Sequence, residues 1–105
     1  DLTYTLLENK AGKFVSPSID SFKAAAASVD WNKNPHFDVV LVNQKDEGAW
    51  PISGATFIII SKTQEHSQNG QEVLKFFDWA YKNGTATAES LYYVPLPDSL
   101  ISKIE

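Results

Sequence analysis

The run Thr56-Phe57-Ile58-Ile59-Ile60 has almost no polar face, and this limits what the chain can become. A strand sends alternate side chains to opposite faces, so such a run suits a central strand covered on both sides. After a polar gap it leads into Glu72–Lys82, the strongest helical pattern in the sequence. There Val73, Phe76, Phe77, Ala80 and Tyr81 cover one wide stripe, with Glu72, Lys75, Asp78 and Lys82 mostly off it. Glu72 near the start and Lys82 near the end match the helix dipole, and Gly84 is placed as a C′ residue. A β-branched strand feeding an amphipathic helix is the minimal unit of a layered fold. The predicted class is α/β.

The flanks fill in the order of elements. Leu2–Leu7 alternates apolar and hydroxyl-bearing residues, the pattern of a half-buried strand. A turn over Asn9–Lys13 allows Phe14-Val15 to pair back. Pro17 ends extended structure, Ser18 is an N-cap, and Ile19, Phe22, Ala26 and Val29 mark one face of a helix over Ile19–Val29. Ala24–Ala27 favours that helix and lets it pack closely. Asp30–His36 is a loop, with Pro35 barring helix continuation. Phe37–Val42 is either a strand or an extended segment entering a turn at Asn43. Gln44–Gly48 reads as a connection between two packed bodies or as a surface excursion. Pro51 fixes its own φ and pushes Trp50 towards extended geometry. Ser61–Gly70 is polar and reads as a loop, and Ala86–Leu91 is too short to assign. Val94-Pro95-Leu96-Pro97 is extended, and Asp98 caps a final helix that buries Leu100, Ile101 and Ile104.

Composition removes several functions. The chain has 105 residues, one domain's length or pieces of two, and with 43% hydrophobic and 12% aromatic residues it can bury a core. A net charge of −4 argues against a general nucleic-acid or anionic-membrane binder. All nine basic residues are Lys, so no guanidinium fork is available to grip a phosphate. A small anion bound by this protein would need its main cation from another part of the polypeptide. Without Cys there is no disulfide, thiolate nucleophile or Cys-based metal site. No apolar run approaches the roughly 20 residues of a membrane span. The chain begins at Asp1 without Met, which fits a processed terminus and equally a fragment of a longer chain.

Catalytic constellations are not apparent. His36 and His66 lie in separate polar loops without a second ligand at metal spacing, and read as surface residues rather than ligands or bases. Asp46-Glu47 reads as solvated loop charge rather than an acid–base pair. Ser16, Ser18, Ser53 and Ser61 lack a nucleophile-elbow context, and Gly54 stands alone rather than in a phosphate loop. Asn83-Gly84-Thr85 matches a glycosylation acceptor but reads better as a helix stop. Of the tryptophans, Trp31, Trp50 and Trp79 could each stack on a sugar. Packing is the expectation for Trp79, and a wedge between layers for Trp50. No catalytic, metal or cofactor residue is assigned.

Several pieces together resemble one family. They are Phe14-Val15-Ser16-Pro17, Phe22 with Ala24–Ala27, Asp30-Trp31, Ala49-Trp50-Pro51-Ile52, Thr56-Phe57-Ile58 and Leu74-Lys75-Phe76-Phe77-Asp78-Trp79-Ala80-Tyr81 with Gly84. Ala88, Leu91, Tyr93, Pro95-Leu96-Pro97 and Asp98 follow in order. The set is similar to the C-terminal third of the phosphate-binding protein of the bacterial ABC phosphate transporter. The resemblance implies a portion of a type II periplasmic-binding-protein fold, two-lobed, with mixed, mostly parallel sheets flanked by helices. By it, residues 1–49 end the second lobe, 50–54 form an inter-lobe hinge at Trp50, Pro51 and Ile52, and 55–105 return to the first lobe.

The same resemblance implies a non-enzymatic, exported protein, periplasmic or at the cell surface. It would capture inorganic phosphate, hand it to the membrane subunits of an ABC permease, and need no cofactor. The family's phosphate ligands precede this region, so no phosphate-binding residue is expected in the segment. The alternative is a standalone small α/β domain with an enzymatic or surface-signalling role. Halves that belong to different lobes would each expose apolar surface, so self-association is a further expectation.

Overall fold

The first helix shows how closely local sequence governs the N-terminal half. In the computed structural model, which describes residues 3–104, α1 spans Ile19–Ala27. Ser18 caps it: its Oγ accepts from the Ser21 N–H, while Ser21 Oγ accepts from the Ser18 N–H. This is a capping box with serine in the place usually held by Glu or Gln. Ser28 ends the helix two residues earlier than the periodicity predicts, its hydroxyl donating to the Ala24 carbonyl. The buried face is centred on Ser21, Ala25 and Ala26, whereas Ile19 is exposed.

Ahead of α1, Leu7–Glu8 (β1) and Phe14–Val15 (β2) form an antiparallel hairpin, with Leu7 opposite Val15 and Glu8 opposite Phe14. Gly12 takes φ +74° in the turn, a conformation that suits glycine. The predicted strand over Leu2–Leu7 is reduced to its last residue. Leu2 lies outside the described residues, while Tyr4 and Leu6 are exposed and unpaired. After α1, a 3₁₀ turn at Trp31–Lys33 leads to Phe37–Val42, which forms no strand: Phe37 turns the chain with φ +56° and its carbonyl accepts from Val39 N–H, and Asn43 turns it again with φ +55°. A single antiparallel pairing joins Val42 to Ile52.

The C-terminal half departs further from expectation. Thr56–Ile60 forms no strand, because among the described residues no backbone hydrogen bond reaches it. Among the described residues the expected sheet layer is therefore absent. Among the described residues the hairpin is the one sheet, and it is antiparallel rather than mostly parallel. A lone apolar strand cannot build a layer without neighbours to share its hydrogen bonds.

Helix α2 spans Ser67–Asn83 and starts inside the stretch expected to be loop. Gly70 donates its N–H to the His66 carbonyl, and a Cβ on it would fall 2.7 Å from Gln64 Cγ. Asn69-Gly70 thus sits in a first helical turn, with the folded-back Gln64 side chain against it. Gly84 has φ −86°, so it is not the left-handed C′ residue expected. It joins α2 directly to α3, Thr85–Ser90, and a Cβ there would lie 2.5 Å from the Ala80 carbonyl oxygen. Helix α4 spans Asp98–Ile104, with the Pro97 carbonyl accepting from Leu100 and Ile101. Asp98 is thus its first residue rather than its cap.

α3 ends in a Schellman motif: Tyr93 N–H donates to the Ala88 carbonyl and Tyr92 N–H to the Glu89 carbonyl. The C′ position is Tyr92, at φ +63°, where Gly or Asn is usual, and its side chain is 98% exposed. A bulky residue in the left-handed region costs about 1–2 kcal/mol. Tyr92→Asn should therefore stabilise the chain by about 0.5–1 kcal/mol, read as a higher urea midpoint at unchanged m-value. A fall in midpoint would show that the tyrosine ring contributes contacts that outweigh its backbone strain.

Candidate functional site

The best-organised part of the molecule surrounds the predicted hinge. Asn9, in the hairpin turn, is 5% exposed and reaches across to the loop before Trp50. Its Nδ2 donates to the carbonyls of Glu47 at 2.7 Å and Ala49 at 3.2 Å, with the Asp46 carbonyl at 3.4 Å. Its Oδ1 accepts from the N–H groups of Ala11 and Lys13, each at 3.1 Å. One side chain thereby satisfies its own turn and anchors a loop 37–40 residues away.

The anchored loop delivers Trp50 to α1. Its N–H donates to the Ser21 carbonyl at 3.0 Å, and its ring lies 6.2 Å from that of Phe22 at a tilt of 48°. Trp50 is 6% exposed, and Ala49, Pro51 and Ser53 are buried beside it. Ser53 Oγ donates to the Trp50 carbonyl, and the Pro51 carbonyl accepts from Asn43 N–H. Ile52 points away and is exposed. Trp50 and Pro51 are thus fixed to the N-terminal body, and Gly54 follows in open space, where a Cβ would meet nothing within 4 Å.

The other candidates are scattered. His36 is exposed, and His66 precedes α2 without a side-chain cap bond. Asp46 accepts from Gly48 N–H to close the loop, and Glu47 is exposed. Ser18 and Ser21 serve the cap of α1, while Ser21 Oγ donates to the Ser16 carbonyl and Ser61 donates to the Thr63 carbonyl. Asn83 lies in the last turn of α2 and donates to the Trp79 carbonyl, so the acceptor-like sequence there is helical. Trp31 Nε1 donates to the Ala26 carbonyl, and its ring sits 6.1 Å from Phe37. Trp79 is not packed as expected. It is 58% exposed and stacks on Phe76 of its own helix. Among the described residues no three His, Cys, Asp or Glu side chains gather as a metal site, and no helix is long and apolar enough to cross a membrane.

Between the two halves runs an open groove of about 530 Å³, walled by Phe22, Trp31 and Leu41 on one side and Phe57, Ile58 and Tyr93 on the other. Its lining is chiefly apolar, and Lys23 and His36 are its basic members. Helix α4 closes one end, with Leu100 buried near Trp31 and Lys103 Nζ donating to Asn32 Oδ1 at 2.6 Å.

No family model matches the chain. Individual relatives do. Phosphate-binding proteins PstS of Xylella fastidiosa and Pasteurella multocida are 42% and 43% identical to it over 104 residues, 99% of this chain. Nearly the whole of this chain thus matches PstS phosphate-binding proteins, as a segment of one would. It spans about 30% of the length of those PstS relatives, covering 29% and 30% of each. A protein of Acanthamoeba polyphaga mimivirus named as a serine/threonine-protein kinase/receptor is 34% identical over 98 residues, 88% of this chain and 6% of its own length.

Sequence reasoning expects Trp50 as a wedge between layers, whereas it packs on Phe22 of α1, and it misses Asn9, which looks like ordinary turn composition. Removing the Asn9 amide leaves backbone donors and acceptors of two loops without partners. Asn9→Ala should cost about 2–3 kcal/mol, as the sum of two or more such groups. Asn9→Asp, which keeps the acceptor and loses the donor, should recover only part of that loss. Equal midpoints for wild type and Asn9→Ala in urea would refute the anchoring role.

Proposed function

We propose that this chain is the C-terminal third of a solute-binding protein that captures inorganic phosphate and delivers it to an ABC permease. The observation that carries the reading is the identity of 40–43% to PstS proteins over 99% of the chain. In this reading residues 1–49 end one lobe, Trp50, Pro51 and Ile52 form the hinge, and 55–105 return to the other lobe, within a type II periplasmic-binding-protein fold. Support comes from the contrast between the halves: the first is tied together by Asn9 and Trp50, whereas the second leaves Phe57, Ile58, Ile59, Val73 and Phe76 exposed. An apolar strand and helix stripe of that kind need a further layer, and the rest of a two-lobed parent would supply it.

The segment's role is then structural. It supplies one crossing between lobes and part of the outer surface, and the phosphate ligands lie elsewhere in the parent. Nine lysines without an arginine fit that division of labour. Hinge closure stabilised by ligand would couple capture to permease docking. The protein is exported and is a binding protein rather than an enzyme. A second reading, a sensing module in a surface receptor, draws on the mimivirus relative and would keep the same fold and hinge.

Calorimetric titration with phosphate separates these ideas from a self-sufficient domain. The full-length parent should bind, and the 105-residue chain should give no heat of binding. Micromolar or tighter binding by the short chain would sink the assignment of ligands to the rest of the parent. For the hinge, Pro51→Gly in the full-length parent should weaken phosphate binding by about threefold to tenfold, because a looser crossing raises the entropy lost on closure. An unchanged affinity would remove Pro51 from the hinge.

A further inference from the structure

We propose that Asn69 is a site of covalent self-modification, losing its side-chain amide to attack by the Gly70 backbone nitrogen. The product is an aspartyl or isoaspartyl residue in the first turn of α2. The chain holds two Asn-Gly pairs, Asn69-Gly70 and Asn83-Gly84, and the structure separates them. Glycine after asparagine favours the reaction, because it has no side chain to hinder ring closure and its backbone turns freely. Both asparagines are exposed, so access does not decide between them. Hydrogen bonding does.

At the second pair both reacting groups are held. Asn83 Nδ2 donates to the Trp79 carbonyl at 2.9 Å, and the Gly84 N–H donates to the Ala80 carbonyl at 2.7 Å. The Gly84 carbonyl in turn accepts from Ala88 N–H at 2.9 Å, so freeing that nitrogen means opening the junction of α2 and α3. Gly70 stands instead at the free end of α2. Its N–H donates to the His66 carbonyl at 3.2 Å, the earliest bond the helical ladder allows. Breaking that one bond releases the attacking nitrogen. The turn is weakly held: His66 gives no side-chain cap bond, and the first turn has no acidic residue. Among the described residues the Asn69 amide makes no hydrogen bond, unlike that of Asn83. Gln64, folded against the buried Gly70, opens together with the turn. A terminal turn of this kind opens at far lower cost than a helix interior.

The step needs only water. The Gly70 nitrogen gives its proton to solvent and bonds to Asn69 Cγ, the Cγ–Nδ2 bond breaks, and Nδ2 leaves as ammonia. Water then opens the cyclic imide at either carbonyl, so one water enters for each ammonia lost and nothing is oxidised or reduced. The two products act differently on α2. An aspartate here sets a carboxylate at the positive end of the helix dipole, in a turn that lacks one, and favours the turn. An isoaspartate adds a carbon to the main chain and shifts the Gly70–His66 bond out of register. Either adds one negative charge to a chain of net charge −4.

Peptide mapping by mass spectrometry tests this on the full-length parent, aged in mildly alkaline buffer both folded and in urea. In the folded protein position 69 should lose its amide about tenfold faster than position 83, or more, because the two turns differ in their cost of opening. In urea the two should react within about twofold of each other, since each is an Asn-Gly pair and only the fold distinguishes them. Isoaspartyl methyltransferase should label the peptide that contains position 69 in the aged folded protein. Asn69→Asp should slow hydrogen exchange at the Gly70 amide by about twofold to fivefold, through the added charge at the helix start.

Equal rates at the two positions in the folded protein, or faster loss at position 83, would overturn the proposal. So would an amide at position 69 that stays intact over a period in which urea exposes both to reaction. A gap that persists in urea would assign the preference to neighbouring side chains rather than to the helix, and overturn it as well. Phosphate binding enters none of these readouts, so failure here leaves the transport reading intact.

Discussion

The molecule depends on a single buried amide. Asn9 is short, uncharged and doubly functional: its oxygen closes the hairpin turn in which it stands, and its nitrogen holds the Glu47–Ala49 loop. One side chain satisfies both sets of backbone groups, so both ends are fixed together. The loop then presents the Trp50 N–H to Ser21 and its ring to Phe22. A network of polar contacts thereby does what a large apolar core does elsewhere. The core itself is small, built from Ala25, Ala26, Leu41, Ala49, Trp50 and Leu100.

That economy explains the asymmetry between the halves. Residues 7–53 close on themselves because a hairpin, a capped helix and one anchored loop satisfy each other locally. Beyond Gly54 the chain offers an extended apolar segment and an amphipathic helix whose counter-surfaces are not in the described residues. α2 is a good helix by its own hydrogen bonds and by the exposed Lys75–Glu72 and Lys82–Asp78 pairs, which contribute a few tenths of a kcal/mol each. Its stripe is only partly covered: Phe77, Ala80 and Tyr81 are half-buried, while the exposed Phe76 stacks on Trp79 rather than in a core.

The elements legible in the sequence are those governed by neighbours along the chain. Ser18 as a cap, the Asn9–Lys13 turn, the turn at Asn43 and the helical stripe of Val73–Tyr81 follow from local chemistry, and each is present. The failures share one cause: the outcome is decided by groups distant in sequence or absent. Thr56–Ile60 has strand composition, but a strand is a relation between segments. Packing for Trp79 required a surface that is not there. Ser61–Gly70 reads as loop until Gln64 folds back over Gly70, and Asn9 reads as turn filler until the loop at residue 47 arrives. Trp50-Pro51 is legible as a rigid dipeptide, while its attachment to α1 through Ser21 is not, because a backbone carbonyl leaves no mark on side-chain pattern. The family likeness was legible for a different reason, since Trp50-Pro51-Ile52 and Leu74–Tyr81 are distinctive strings.

Gly84 carries a consequence of another kind. Because a Cβ there would strike the Ala80 carbonyl oxygen, α2 passes into α3 with this geometry only while that position lacks a methyl group. The single added carbon of an alanine would force the junction to shift, and with it α3 and the turn that carries Tyr92.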